Sequence, residues 1–174
     1  MTVFFEDGDY SRYLALLSER ARRWRVEVWA YCLMPNHVHL IAVPPSARAL
    51  SHALGEAHRR YAVSTNRPRS WTGHLWQERF RSCALDERHL YAAVRYVLLN
   101  PVRAHLAAHP LDWPHSSAAA HLQGRRDPLV SNEALANYVE DWEAYLALGV
   151  ELEMSEALRR HSRSGQPLMS GVAS

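Results

Sequence analysis

Cysteine is scarce in this chain, and long apolar runs and a signal sequence are missing. Two cysteines, Cys32 and Cys83, cannot form a disulfide framework, so we expect a reduced cytosolic compartment. No apolar run approaches ~18 residues, which excludes a transmembrane helix. The first ten residues hold three acidic and no basic side chains, which excludes a secretory signal.

Lysine is absent as well, since all 20 basic residues are arginine, against 18 acidic residues. The charges are uneven: residues 1–130 hold 17 arginines and 11 acids, whereas residues 131–174 hold 3 and 7. Codon bias in a GC-rich genome would remove lysine without any functional reason. Arginine nevertheless makes planar, bidentate contacts to phosphate that lysine cannot make. The excess in the first part of the chain is compatible with an anion-binding region.

The length of 174 residues and the apolar fraction of 48% are typical of one globular domain with an appendage. Collagen, a coiled coil, a disordered chain and a large α/β barrel do not fit these figures. We divide the chain into a main domain at residues 1–130 and a C-terminal helix with a mobile tail at residues 131–174.

Runs of β-branched and aromatic residues predict an antiparallel hairpin. Val26–Leu33 and His37–Val43 are such runs, and a turn at residues 34–36 separates them. A further strand is predicted at Trp76–Leu85. Four helices are predicted from apolar spacing and capping residues. They run from the N-cap Asp9 to Trp24, from Ser46 or Ser51 to about Thr65, from the N-cap Asp86 to about Asn100 before Pro101, and from about Asn132 to Leu148.

The remaining segments are predicted to be irregular. Residues 102–130 contain three prolines, and the Ser/Gly/Pro-containing tail after Arg159 is expected to be mobile. The order of the elements predicts an α+β fold, in which helices pack on one side of an antiparallel sheet.

Two histidines alternate on the second predicted strand. Because residues i and i+2 of a strand point to the same face, His37 and His39 stand side by side while Val38 turns toward the core. That geometry suits two ligands of one metal ion. With 11 histidines in the chain, such a pair also arises by chance, so the pair alone is not specific.

Tyr96 and Asn100 are four residues apart on the predicted third helix, which places them on one face. A tyrosine in such a place is more often a core residue than a nucleophile. An asparagine just before a proline is more often a helix C-terminal cap. Neither residue identifies a site by itself, so a site is predicted only from their combination with the histidine pair.

Four ordered segments resemble those of one family. Residues 31–41 (YCLMPNHVHLI) resemble the His–hydrophobic–His segment of the single-tyrosine HUH transposases. Three more segments resemble motifs of the REP-associated tyrosine transposases, within the insertion-sequence-200-like superfamily. They are GHLWQERF at 73–80, RYVLLNPVRA at 95–104 and DWPHSS at 112–117. Four ordered motifs are far more specific than one histidine pair, and the chain is therefore identified as a member of this superfamily.

The resemblance implies a fold, a reaction and a set of site residues. The fold is a ferredoxin-like antiparallel sheet covered by helices. His37 and His39 would hold a divalent cation, Mg²⁺ or Mn²⁺, with Asn100 completing the site, and Tyr96 would be the nucleophile. Members cut single-stranded DNA, often beside a hairpin, through a 5′-phosphotyrosine intermediate, and rejoin strands by transesterification.

Several residues in or beside these segments are candidates for DNA contacts. Trp76 is a candidate for stacking on an unpaired base, with a place in the core as the alternative. The arginines are candidates for phosphate contacts, with simple solvation as the alternative. They are Arg79, Arg81, Arg95 and Arg103.

The start of the chain departs from the family pattern. Family members have a strand before the segment that resembles residues 3–10 (VFFEDGDY), and here only Thr2–Phe5 can supply part of it. We therefore expect a missing or shortened first strand. Because that strand is central in a ferredoxin-like sheet, its loss exposes strand edges unless another segment fills the gap.

Two other functions are open at this point. A hairpin-binding protein without catalysis would follow from the missing first strand. A nucleotide hydrolase of the histidine-triad type would fit residues 36–39 (NHVH), but Ile41 stands where that family has a further histidine. We expect a cytoplasmic, nucleoid-associated bacterial protein that binds single-stranded DNA hairpins but no membrane, as a monomer or homodimer.

Overall fold

The computed structural model describes residues 2–77, 79–130, 133–136 and 138–169. A two-stranded antiparallel sheet and several helices make up this part of the chain. The α+β class and the antiparallel sheet predicted from the sequence are thus confirmed.

The sheet is a hairpin of β1 (Glu27–Met34) and β2 (His37–Val43). The two-residue turn Pro35–Asn36 joins them, and Met34 pairs with His37 beside it. The observed strands lie within one residue of the predicted ones. They form because branched and aromatic side chains fit a pleated, buried surface.

The helices begin and end where local chemistry requires. The hydroxyl of Ser46 accepts the N–H of Ala49 at 3.1 Å and caps the helix α2 (Ala47–Asn66). The carboxylate of Asp86 accepts the N–H of His89 at 2.9 Å and caps the helix α3 (Glu87–Leu98). Asp9, the predicted N-cap, is instead the third residue of the helix α1 (Asp7–Arg23), and its carboxylate accepts the N–H of Phe5. The helices are α1 (Asp7–Arg23), α2 (Ala47–Asn66), α3 (Glu87–Leu98), α4 (Asn100–Arg103), α5 (Ala118–Gln123), α6 (Glu133–Ala136), α7 (Trp142–Ala147) and α8 (Leu152–Ser164).

Helices pack against both faces of the hairpin, which corrects the prediction that they lie on one side. Tyr31 and Leu33 of β1 belong to the core shared with α1 and α2, which we call the first face. Cys32 and Met34 belong to the core shared with α3, which we call the second face. The apolar residues of β1 run continuously instead of alternating, and that pattern is typical of a strand covered on both sides.

Residues 115–117 fill the outer edge of β1. The N–H of Leu33 donates to the carbonyl of His115 at 2.9 Å, and the N–H of Ser117 donates to the carbonyl of Tyr31 at 3.0 Å. The hydroxyl of Ser117 accepts the N–H of Tyr31, also at 3.0 Å. The DWPHSS segment therefore completes the backbone pairing of β1 on the side away from β2.

Residues 2–5 do not form a strand. The N–H groups of Val3 and Phe4 both donate to the carbonyl of Pro35, at 2.8 and 3.1 Å, and both side chains are buried on the first face. In the described ranges the sheet contains β1 and β2 alone, in line with the expected loss of a first strand. The start of the chain thus packs against the hairpin turn.

The strand predicted at residues 76–85 is wrong for the described part of that segment. Leu85 makes a single bridge with Leu168, and the other described residues of the segment pair with no strand. A sequence with high β propensity becomes a strand only when it pairs with a neighbouring strand, and the described residues of this segment make no such pairing beyond the bridge at Leu85.

The C-terminal predictions also need correction. The single helix expected at residues 132–148 is broken into α6 and α7, because the carboxylate of Asp141 caps a new helix through the N–H of Ala144 at 3.0 Å. Its predicted first residue, Asn132, lies outside the described residues. The irregular tail expected after Arg159 is helical as far as Ser164. The division of the chain at residue 130 stays a prediction.

Residues 102–130, predicted to be irregular, contain α5 and a 3₁₀ turn at Pro110–Asp112. No helix within the described ranges is both long and apolar enough to span a membrane.

Replacing Ser117 with alanine should lower the free energy of unfolding by about 1–3 kcal/mol. The reason is that the buried N–H of Tyr31 loses the hydroxyl to which it donates. Urea unfolding followed by circular dichroism measures the change. The control is Ser51→Ala on the exposed side of α2, which should change stability by no more than about 0.5 kcal/mol. Equal stabilities for the two variants would contradict the role given to residues 115–117.

Candidate active site

Three of the predicted site residues lie together on the second face of the hairpin. The Nε2 atoms of His37 and His39 are 2.8 Å apart. The ring centroids of His39 and Tyr96 are 5.4 Å apart, with the two rings nearly perpendicular. Val38 packs on the first face, as strand alternation predicts.

The packing of α3 brings Tyr96 to the histidines. Val94, Val97 and Leu98 of this helix are buried on the second face of the hairpin. Tyr96 is itself only 8% exposed, so its ring is held by the core, and it lies nearly perpendicular to the ring of His39. The position of the hydroxyl is therefore set by the same contacts that stabilise the fold.

Both imidazoles are neutral near pH 7. Desolvation lowers the pKa of His37 and, more strongly, lowers the pKa of His39 to about 3, with further contributions from His37, Arg103 and Arg159. Nδ1 of His37 lies 2.6 Å from the side-chain oxygen of Asn36, to which it donates in the tautomer that leaves Nε2 free. A neutral imidazole with a free Nε2 and a hydrogen-bonded Nδ1 is the usual form of a metal-binding histidine.

The donor set fits an open metal site better than a closed one. Within the described part of the chain, no three or more histidine, cysteine, aspartate or glutamate side chains form a cluster that could hold an ion. Two imidazoles leave coordination positions for an amide oxygen, water or phosphate oxygens, which Mg²⁺ and Mn²⁺ accept. The His37–His39 pair therefore fits the predicted cation, whose binding stays a prediction.

Asn100 lies beyond a break in the helix that carries Tyr96. α3 ends at Leu98, and α4 begins at Asn100 with Pro101 as its second residue. The break follows from proline, which has no N–H to continue the backbone bonds of α3. Asn100 is buried, at 8% exposure, and its place as a third metal ligand stays a prediction.

Two arginines converge on Tyr96. The guanidinium carbon of Arg103 lies 4.6 Å from the centroid of the Tyr96 ring, and the same side chain donates to the hydroxyl of Ser155 on α8. Nε of Arg159, also on α8, donates to the hydroxyl of Tyr96 at 3.4 Å. The nucleophile candidate thus has two positive charges beside it.

Arg159 is a site residue that the sequence prediction missed. The spacing of Met154, Ala157 and Leu158, followed by a glycine at position 165, is a helix signal in the sequence that would have revealed α8. In the structure Gly165 ends this helix with φ of +71°. No local signal points Arg159 at Tyr96, because the two residues are 63 positions apart.

Trp76 is partly buried and packs against the core of the first face. Its indole N–H donates to the carbonyl of His58 at 3.1 Å, and its ring stacks on the imidazole of His58 at 4.2 Å. These contacts agree with the alternative interpretation of Trp76, in which it packs within the protein. Its stacking on a DNA base stays a prediction.

The other arginines proposed for DNA contacts lie away from Tyr96 or have protein partners. Arg95 donates to the carbonyl of Gly149 at 2.9 Å and covers the ring of Tyr145. Arg81 donates to the carbonyl of Arg163 at 2.9 Å. Arg79 is exposed. Arg103 is the one member of the predicted set that contacts Tyr96 in the described part of the chain.

Comparison with known families matches residues 2–99, more than half of the chain, to the family described as "Transposase IS200 like". The matched range includes the hairpin with the histidine pair and α3 with Tyr96. Neither the curated proteins nor the solved structures gave a match. The narrower assignment to the REP-associated branch stays a prediction.

The stability of the metal-free protein should fall as the pH is lowered from 6.5 toward 3, and His39 should account for part of the loss. The folded chain keeps His39 neutral, whereas the unfolded chain binds a proton near pH 6.5. The unfolded state then holds more protons, so the free energy of unfolding decreases. His39→Asn should flatten this dependence in urea unfolding with a chelator present. Parallel pH curves for the variant and the parent would contradict the assignment.

Proposed function

Because this chain belongs to the IS200-like transposase family and processes DNA as a transposase, we propose that it cuts and rejoins single-stranded DNA with Tyr96 as nucleophile. The observation that carries the proposal is the meeting of Tyr96 with the histidine pair on the second face. The hydrogen bond of Tyr96 with Arg159 and its ring contact with His39 support a role for Tyr96 beyond packing.

The proposed reaction exchanges one phosphodiester for another. The hydroxyl oxygen of Tyr96 attacks the phosphorus of a DNA phosphodiester, and the bond from phosphorus to the 3′ oxygen breaks. The phenol proton passes to solvent, and the departing 3′ oxygen takes up a proton. The products are a 5′-phosphotyrosine and a free 3′-OH. Because the ester bond is conserved, a DNA 3′-OH reseals the strand by the reverse attack without ATP.

The histidine pair would hold the metal ion that acts on the scissile phosphate. Mg²⁺ or Mn²⁺, when bound, supplies Lewis-acid polarisation of the scissile phosphate and offsets its charge in the transition state. His37 and His39 offer neutral Nε2 atoms 2.8 Å apart for that ion, and Asn36 fixes the ring of His37. Asn100 is the proposed amide ligand.

Arg159 and Arg103 would stabilise the Tyr96 nucleophile and the negative charge that develops on the phosphate during attack. Attack requires the phosphorus to approach the hydroxyl oxygen of Tyr96, to which Nε of Arg159 donates at 3.4 Å. The nonbridging phosphate oxygens then come within reach of the same guanidinium. Arg103, held by Ser155, adds a second charge at the ring face. Fixed cations at such a place stabilise the transition state because they need not reorganise.

The proposed substrate is single-stranded DNA beside a hairpin. The support is the family membership together with the positive charge of residues 1–130, which attracts a polyanion. The competing function is a hairpin-binding protein without catalysis. It is considered because the described sheet contains no first strand before β1.

Tyr96→Phe should abolish a covalent protein–DNA adduct. Purified protein, labelled single-stranded hairpins from the DNA that flanks its own gene and Mn²⁺ are incubated and run on a denaturing gel. Tyr138→Phe is the matched control, because Tyr138 is 41% exposed and its ring contacts are with Trp29 and Tyr91. A chelator should remove the adduct from the parent protein as well. An adduct that survives in Tyr96→Phe would refute the nucleophile, and hairpin binding without any adduct would favour the non-catalytic protein.

Arg159→Gln should slow single-turnover cleavage at saturating DNA by about tenfold or more. The variant loses the guanidinium that donates to the Tyr96 hydroxyl. Arg160→Gln removes the same charge from the next residue of α8, which is exposed, and should leave the rate within about twofold. Equal rates for the two variants would show that Arg159 has no role in the chemical step.

A further inference from the structure

A pocket of about 540 Å³ lies between the second half of α2 and the loop that follows it. Pockets for small ligands span about 300–1,000 Å³, so a single nucleotide unit fits this volume. Its walls are held by hydrogen bonds: the side-chain amide of Asn66 donates to the carbonyl of Gly73 at 3.2 Å, and Trp76 donates to the carbonyl of His58 at 3.1 Å. The cavity therefore exists before any ligand arrives.

Among the described residues, the wall of the pocket carries two arginines and no acidic side chain. Arg59 and Arg67 line it, both are exposed, and within the described ranges neither guanidinium pairs with a carboxylate. Arg60, the next residue on α2, differs in pairing with Glu19 at 3.1 Å. An unpaired guanidinium offers its full charge and its planar set of donors to an incoming phosphate.

The pocket also presents an aromatic surface. Trp71 lines it and is 48% exposed, which is unusual for the largest side chain. The guanidinium of Arg69 lies 5.5 Å from its ring centroid, and Phe5 meets it edge to face. These contacts hold the indole in place and leave part of it open. Indole rings are suited to stacking on nucleobases.

We propose that this pocket binds one nucleotide, with the phosphate on Arg59 and Arg67 and the base against Trp71. The shared chemistry, a phosphate attached to an aromatic base, occurs in a free nucleotide and in an unpaired nucleotide of single-stranded DNA. In the second case the inference rests on the proposed function and adds an anchoring point to it.

The pocket is separate from the centre that contains Tyr96. Leu75 and Trp76 of its wall pack on the first face, whereas Tyr96 and His39 meet on the second. A nucleotide bound here leaves the reacting groups free. DNA that occupied both places would run from one face of the hairpin to the other.

Binding to the full chain in the presence of a chelator tests the site, because cleavage does not contribute. The probes are thymidine 5′-monophosphate, thymidine, inorganic phosphate and a fluorescent oligothymidylate, read by calorimetry or anisotropy. The pocket variants are Arg59→Gln with Arg67→Gln, and Trp71→Leu. The matched control is Arg60→Gln, which removes the same charge from the same helix outside the pocket. All variants change exposed side chains, and thermal unfolding checks that they fold.

Both pocket variants should weaken binding about tenfold. The double variant of Arg59 and Arg67 loses positive charge, and Trp71→Leu loses stacking. Arg60→Gln should weaken binding less than about twofold. If the pocket variants bind the mononucleotide more weakly than the parent does, the pocket is a free-nucleotide site. If they bind only the oligonucleotide more weakly, its occupant is single-stranded DNA. Pocket variants that match Arg60→Gln for every probe would overturn the proposal. The result is independent of whether Tyr96→Phe abolishes the covalent adduct.

Discussion

The structure depends on a strand that is buried on both faces and must therefore pair its backbone on both edges. An unpaired N–H or C=O in such a place costs about 1–3 kcal/mol. β2 satisfies one edge of β1, and residues 115–117 satisfy the other through Leu33, Tyr31 and Ser117. The pairing fixes the register of the hairpin, and the register fixes which face carries His37 and His39. A shift of one residue would turn both imidazoles to the opposite face.

The candidate active site is assembled from three parts of the chain that meet on this hairpin. β2 supplies the two histidines, α3 supplies Tyr96, and α8 supplies Arg159. Each part is held by its own apolar contacts with the second-face core, which includes Val97 and Leu158. The polar groups are therefore positioned by packing, before substrate or metal arrives. Pre-positioned charge of this kind is what phosphoryl transfer requires of a protein.

Arginine has three uses in this lysine-free chain, and only the structure separates them. Some guanidiniums hold the fold, as Arg20 does with Glu56 at 2.9 Å and Arg95 does with Gly149. Arg103 and Arg159 surround Tyr96 on the second face. Arg59 and Arg67 line the pocket beside α2 and pair with no carboxylate among the residues that the structure describes. A count of basic residues indicates a polyanion as partner, but it does not say which cations are free to meet it.

The sequence by itself determined the family, the hairpin, the start of α3 and the pairing of His37 with His39, and it limited the start of α2 to Ser46 or Ser51. These features follow from local chemistry, namely strand alternation, the capping side chains of Ser46 and Asp86, and ordered motifs. Tertiary structure alone decided that residues 76–85 form no strand in the part described, that helices cover both faces, and that Arg159 reaches Tyr96. A strand forms only where tertiary packing gives it a paired neighbour, and the contact of Arg159 with Tyr96 needs two packed helices. Neither condition produces a periodic pattern in the sequence.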